Sequence, residues 1–155
     1  MSTWGAQGVA RFARAAGFRG ESLHDAVALA LAASGGADHY RYNPISAPGA
    51  ERRGLWALRV DEIPAELLGD LFDPTHNGAV VRALWEASGE SFAFHPTWIN
   101  GQAAQRRAYV PQALRGNAKH SENVPVQSFR DHMGRLLARA QAFGQTLDTG
   151  RLPGA

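Results

Sequence analysis

Four tryptophans and six histidines are the side chains with the widest chemical scope in this chain. Histidines paired at helical spacing with one another or with carboxylates would make a metal site. His24, His39, His76, His95, His120 and His132 show no such spacing and read as surface or capping residues, so no metal is expected. The absence of cysteine rules out both a thiolate metal site and a disulfide framework. No Gly-rich phosphate loop follows a strand and no serine–histidine–acid order stands out, so no cofactor is expected. Trp4, Trp56, Trp85 and Trp98 carry flat faces of the kind that stack on sugars. Trp85 falls on the apolar face of a helix and reads as core.

The elements that must position these residues can be read from periodicity and caps. Val9, Phe12, Ala13 and Ala16 recur at helical spacing, and Gly17 supplies a stop. Ser22 with Asp25 three residues on resembles a capping box that starts a second helix. From Ala26 to Ala33 every residue is apolar, so that helix should be buried on nearly all sides, and Ser34-Gly35-Gly36 ends it. Residues 39–51 are rich in turn formers and read as an irregular loop, with 54–60 a short strand or extended segment. Ile63, Leu67 and Leu71 imply a short helix around Pro64. Asp73-Pro74 is a strong helix start, and Val80, Val81, Leu84 and Trp85 form the apolar face that follows it. Phe92 to Gly101 reads as an aromatic loop. A last amphipathic helix carries Phe129, Met133, Leu136, Leu137, Ala140 and Phe143.

At 155 residues, with 45% hydrophobic and 19% charged content, the chain is sized and composed for one globular domain. The N-terminus lacks the apolar run of about 7–15 residues that marks a secretion signal, so none is expected. The apolar block at 26–33 falls far short of the roughly 20 residues needed to cross a bilayer. Charge is uneven. Residues 1–100 carry eight arginines and eleven carboxylates, whereas residues 101–155 carry seven arginines and Lys119 against three carboxylates. Such a basic tail suits an acidic partner or simply a solvated helix face. Nucleic acid is not the expected partner, because no recognition-helix or aromatic-interleaved basic pattern accompanies the charge.

Two runs, ALALAASGG (Ala28 to Gly36) and ERRGLWAL (Glu51 to Leu58), resemble the soluble lytic transglycosylase and phage lysozyme-like family. The resemblance continues in order over residues 8–102. It takes in AAGF (Ala15 to Phe18), RGLW (Arg53 to Trp56), LFDP with Asn77, and an aromatic segment ending in Asn100-Gly101. It implies a mostly helical α+β, lysozyme-like domain over residues 1–102. Residues 103–155 then form a basic C-terminal extension whose amphipathic helix packs on the domain or on a partner.

In that family the apolar helix ends A-E-S-G-G, and the glutamate is the catalytic acid. A carboxyl at such a helix end is desolvated and feels the negative end of the helix dipole, both of which keep it protonated. Here the aligned residue is Ala33, so the resemblance assigns no catalytic residue. It assigns the substrate-binding positions to Ser34, Arg53, Gly54, Leu55, Trp56 and Trp98, with Ser34 also read as a cap for a helix carbonyl. Ala57 stands where a cleft-lining Gln is usual, Ala37 where Asn is usual, and Trp98 where Tyr is usual. Departures spread this widely favour natural loss over a single engineered replacement. Asp38 and Glu51, in or beside the loop that should border the cleft, are the candidate substitute acids, although neither lies on a rigid element.

Two functions follow from the resemblance. One is a catalytically impaired module that binds peptidoglycan glycan strands or serves as structure in a phage tail or phage-tail-like contractile injection machine. It would contact other subunits through residues 103–155 and act at the bacterial cell wall. The other is a peptidoglycan-cleaving enzyme whose acid was mutated or replaced.

Overall fold

A computed structural model describes residues 1–115. Among them the helices are α1 (Ala6–Ala15), α2 (Gly20–Ser34), α3 (Pro74–Ala87), α4 (Pro96–Ile99), α5 (Gln102–Arg107) and α6 (Val110–Leu114). A small antiparallel sheet lies between α2 and α3 in the chain, built in sequence order from β1 (Arg41–Tyr42), β2 (Arg52–Arg53) and β3 (Leu58–Arg59). This is the mostly helical α+β architecture expected. The amphipathic helix expected at Phe129 to Phe143 lies outside the described residues.

Helix α2 is the centre. Ala26 through Ala30 are fully buried, and α1, α4, α5 and α6 pack around it. Its last apolar residues, Leu31, Ala32 and Ala33, are only half-buried, so burial on all sides stops one turn before the helix does. The apolar stripe of α1 is buried as its spacing implied. The start of α2 differs from expectation. Its N-cap is Arg19, and Ser22 is the third helical residue, reaching back to accept from the Arg19 N–H at 3.2 Å. The Arg19 guanidinium donates to the carbonyls of Arg14 and Phe18 at 2.6 and 2.7 Å, which fixes the chain entering the helix. Asp25 takes no part in the cap and accepts instead from Arg107 at 2.7 Å.

Helix α3 begins as the sequence implies. Asp73 accepts from the Thr75 N–H at 2.9 Å, with Pro74 in the first turn where its missing N–H costs nothing. Ile63, Leu67 and Leu71 are buried as expected but not in one helix. Two 3₁₀ turns, Val60–Glu62 and Ala65–Leu67, flank Pro64, which lacks the N–H a continuous helix would use. The loop read for 39–51 contains β1, and the extended segment at 54–60 is a tight turn leading into β3. The aromatic loop at 92–101 holds the short helix α4, started by Pro96.

Two features tie residues 2–4 and the segment after residue 102 to this body. Residues 2–4 lie along residues 36–38, with the Trp4 N–H on the Gly36 carbonyl at 2.8 Å and the Asp38 N–H on the Ser2 carbonyl at 3.0 Å. That approach requires Gly36, where a Cβ would stand 2.0 Å from the Trp4 carbonyl oxygen. Beyond residue 102, where the sequence set a boundary, Ala103 and Val110 join the same core, and Arg107 clamps α5 to Glu21 and Asp25 of α2. No described helix is long and apolar enough to cross a membrane.

Candidate functional site

Ala33 occupies the last turn of α2, half-buried, where its methyl has no proton to donate. The next side chain is fully engaged. Ser34 Oγ lies 2.6 Å from the Leu55 carbonyl and 3.0 Å from the Ala30 carbonyl, and it accepts from the Gly36 N–H at 3.2 Å. A hydroxyl has one proton to share between two carbonyls, so Ser34 serves as a latch between the helix end and the segment 53–57. That is the capping alternative of its two expected roles.

The segment 53–57 is held from three sides. Gly54 turns the chain at φ +81°, and a Cβ there would stand 2.0 Å from the Leu71 carbonyl and 2.3 Å from the Asn77 amide nitrogen. Asn77, fully buried near the start of α3, accepts from the Trp56 N–H at 2.9 Å. It also donates to the Leu71 and Arg53 carbonyls at 2.9 and 3.1 Å. From the other side His95 donates Nε2–H to the Trp56 carbonyl at 2.8 Å, while its Nδ1 accepts from Thr97. Burial, aided by nearby Arg52 and opposed by the bond to the Trp56 carbonyl, lowers the His95 pKa to about 4. The imidazole is therefore neutral at pH 7, with its proton on Nε2.

These contacts revise two expected sugar-binding positions. Trp56 and Leu55 are fully buried, and the Trp56 indole donates to the Ala26 carbonyl at 2.8 Å. A ring with no exposed face cannot stack on a saccharide, so Trp56 is core that shapes the site from behind. Ala57, in the position where Gln is usual, adopts φ +47° and is 2% exposed. A non-glycine residue held there costs about 1–3 kcal/mol. The neighbouring carbonyls help hold it, Trp56 by His95 and Ala57 by Arg52 Nη1 at 3.1 Å.

The sheet beside the segment is dense in charge. Glu51 accepts from Arg53 at 2.9 and 3.0 Å and from Arg41. The Arg53 bonds, with Arg41 adding to them and burial working against them, hold Glu51 below the ordinary carboxylate range. Burial pushes Asp38 up, but the Ser2 N–H at 2.8 Å, the Trp4 indole N–H at 3.1 Å and His39 outweigh it, leaving Asp38 lowered. Both substitute acids expected from the sequence are thus ionised acceptors tying structure together. A general acid near neutral pH needs the opposite shift. Glu62 does shift upward through burial, but its neighbours are Arg59 and Arg52 of the sheet rather than the end of α2.

Trp98 is half-buried on α4 and packs its ring 5.4 Å from Phe92, within an aromatic group that includes Phe18 and Trp85. Ser34 joins the end of α2 to Leu55, the Trp56 indole bonds to Ala26 in the middle of the same helix, Arg53 pairs with Glu51, and Trp98 belongs to the neighbouring aromatic group. Sequence reasoning read His95 as a surface or capping residue, and it does cap α4 through the Thr97 N–H. Its burial and its bond to the Trp56 carbonyl were not foreseen, and Asn77 was treated only as part of a motif. A buried His next to Pro96 in an aromatic segment was the available signal.

A family model described as "Lysozyme like domain" matches residues 10–98. Comparison with curated proteins and with solved structures gives no match.

Proposed function

The chain belongs to the lysozyme-like domain family, and from that premise we propose that it recognises peptidoglycan glycan strands without cleaving them. The single observation that carries this reading is the state of the carboxyl groups expected to stand in for the missing acid. The acid position implied by the resemblance is Ala33, and the two candidates to replace it, Asp38 and Glu51, are held ionised by their donors. Loss of a positioned acid costs on the order of 10²–10⁴ in rate. A retained, tightly hydrogen-bonded site lacking its acid is a scaffold for binding.

In this reading the module is a component of a phage tail or phage-tail-like contractile injection machine, acting at the bacterial cell wall. Residues 103–155, with their excess of arginine over carboxylate, contact neighbouring subunits. Turbidity of purified cell walls, recorded with the chain and with Ala33→Glu, tests the catalytic half of the reading. The expected result is no clearing by either, because Ala57, Ala37 and Trp98 also depart from the family pattern. Clearing by Ala33→Glu alone would show an enzyme that lacks only its acid. Clearing by the unaltered chain would overturn the reading.

A further inference from the structure

An asparagine followed by glycine can rewrite its own covalent structure, because a residue without Cβ leaves its backbone nitrogen unhindered beside the amide side chain. The sequence carries two such pairs, Asn77-Gly78 and Asn100-Gly101. Asn43 precedes Pro44, whose nitrogen has no proton to lose.

The fold treats the two pairs in opposite ways. Asn77 and Gly78 are buried within the 14 residues of α3, and the Asn77 side chain is held by the Trp56 N–H and by the Leu71 and Arg53 carbonyls. Reaction there requires α3 to open, which draws on much of the stability of the domain. Asn100 is exposed. It closes the four-residue helix α4, and Gly101 caps the start of α5. Its Oδ1 accepts from the Gln102 N–H at 2.9 Å. The Gly101 N–H reaches the Trp98 carbonyl at 3.3 Å, beyond the usual range for such a bond.

At ψ 0° for Asn100 the Gly101 nitrogen faces away from the Asn100 side chain, so attack waits on a turn of the peptide between them. Counter-rotation of ψ at Asn100 and φ at Gly101 makes that turn while leaving both helices in place. Glycine accepts the resulting φ, and even a Cβ at Gly101 would meet nothing within 4 Å. The opening therefore breaks one long bond at the end of a single helical turn.

We infer that Asn100 is a self-modification site, at which the chain converts a neutral amide into a carboxylate. The Gly101 nitrogen, deprotonated, attacks Cγ of Asn100. The new N–Cγ bond forms as the Cγ–Nδ2 bond breaks, and ammonia carries away the proton, leaving a cyclic imide. Water adds to either imide carbonyl, and the ring opens to aspartate or to isoaspartate. The change lowers the formal net charge by one from +2. It also puts a negative charge into residues 91–121, which hold Arg106, Arg107, Arg115 and Lys119 and no carboxylate. Aspartate keeps the acceptor for the Gln102 N–H and makes the bond charge-assisted. Isoaspartate routes the backbone through the former side chain and lengthens the junction between α4 and α5.

The test is peptide mapping by mass spectrometry after incubation in warm, mildly alkaline buffer, with the folded chain compared with the chain in concentrated urea. In the folded chain the Asn100 peptide should gain about 1 Da as two chromatographic products. It should do so more than about ten times faster than the Asn77 peptide. In urea the two rates should fall within about three-fold of each other, since the fold no longer separates them. Water labelled with heavy oxygen should leave its label in both products, and the rate should rise with pH. Asn100→Gln should abolish the gain, because the larger imide ring closes far more slowly. In the folded chain, no gain at Asn100, an equal rate at Asn77, products without heavy oxygen, or a gain that persists in Asn100→Gln would overturn the inference.

Discussion

Replacing Asn77 with alanine should unfasten the site from the body of the domain. The amide is fully buried and makes three side-chain bonds, to the Trp56 N–H at 2.9 Å and to the Leu71 and Arg53 carbonyls at 2.9 and 3.1 Å. In Asn77→Ala the Trp56 N–H loses its acceptor in a region closed to water, which costs about 1–3 kcal/mol. Two carbonyls lose a donor as well, and the vacated space adds roughly 24 cal/mol per Å³ that fails to collapse. Together these come to about 3–4 kcal/mol, a large share of the roughly 5–15 kcal/mol that holds a domain folded. Urea unfolding followed by tryptophan fluorescence reads the effect as a fall in midpoint at unchanged slope. Asn77→Asp sharpens the test. It keeps an acceptor for Trp56 but sets a negative charge against two carbonyl oxygens, so it should also destabilise at pH 7, and less so in acid, where the protonated form donates again. A cost below about 1 kcal/mol for both variants would refute the assignment of Asn77 as the fastening.

Two further perturbations follow from the same segment. His95 binds its proton near pH 4 when folded and near 6.5 when unfolded, so the unfolded state takes up the proton first as pH falls. Stability should be full above pH 6.5 and decline toward pH 4 by up to about 1.4 kcal/mol per unit, roughly 3 kcal/mol in all. Urea midpoints across that window should lose this component in His95→Gln, and an unchanged slope would contradict the buried neutral imidazole. Gly54→Ala forces a Cβ to within 2.0 Å of a backbone oxygen, whereas Gly89, also at positive φ, has nothing within 4 Å. Thermal melting should show Gly54→Ala unfolded or destabilised by more than about 3 kcal/mol and Gly89→Ala by only about 1–2. Equal costs would count against the close approach of 54 to α3.

What the sequence revealed and what it hid divide by distance along the chain. The stripe Val9, Phe12, Ala13 and Ala16 and the Asp73-Pro74 start were legible because each signal is complete within one or two turns. The buried block at Ala26 to Ala30 was legible because a helix without a polar face has nowhere to go but inside. The start of α2 was misplaced because a Ser side chain can act from the third helical position as well as from the cap, and the Arg19 guanidinium that settles the matter bonds backward to Arg14 and Phe18. The site itself was less legible. Its bonds join residues far apart, Ser34 to Leu55, Trp56 to Ala26 and His95 to Trp56, across 21, 30 and 39 positions. No local pattern carries such pairings. Trp56 in particular looks the same in sequence whether its ring faces a sugar or the core, and only the packing of α2 against it decides.

The ionised state of Asp38 and Glu51 shows the same division. Both were visible as carboxylates near a loop, but the donors to Asp38 come from the N-terminal segment, and Glu51 is shared between Arg53 two residues along and Arg41 on the paired strand. A carboxylate with two or three donors is fixed as an acceptor. The sheet, with two residues in each strand, is too short for alternation to announce it, yet its register is what aligns Tyr42, Arg52 and Arg59 on one face.

The most direct test of recognition without cleavage is a single incubation of the unaltered chain with purified insoluble peptidoglycan, read in both fractions. The protein should sediment with the walls in a saturable way, and mass spectrometry of the supernatant should find no released saccharide above that of walls alone. Soluble disaccharide–peptide fragments, whether hydrolysed or anhydro-ended, would contradict the account and return the chain to the enzymes. Protein left wholly in the supernatant would contradict it from the other side.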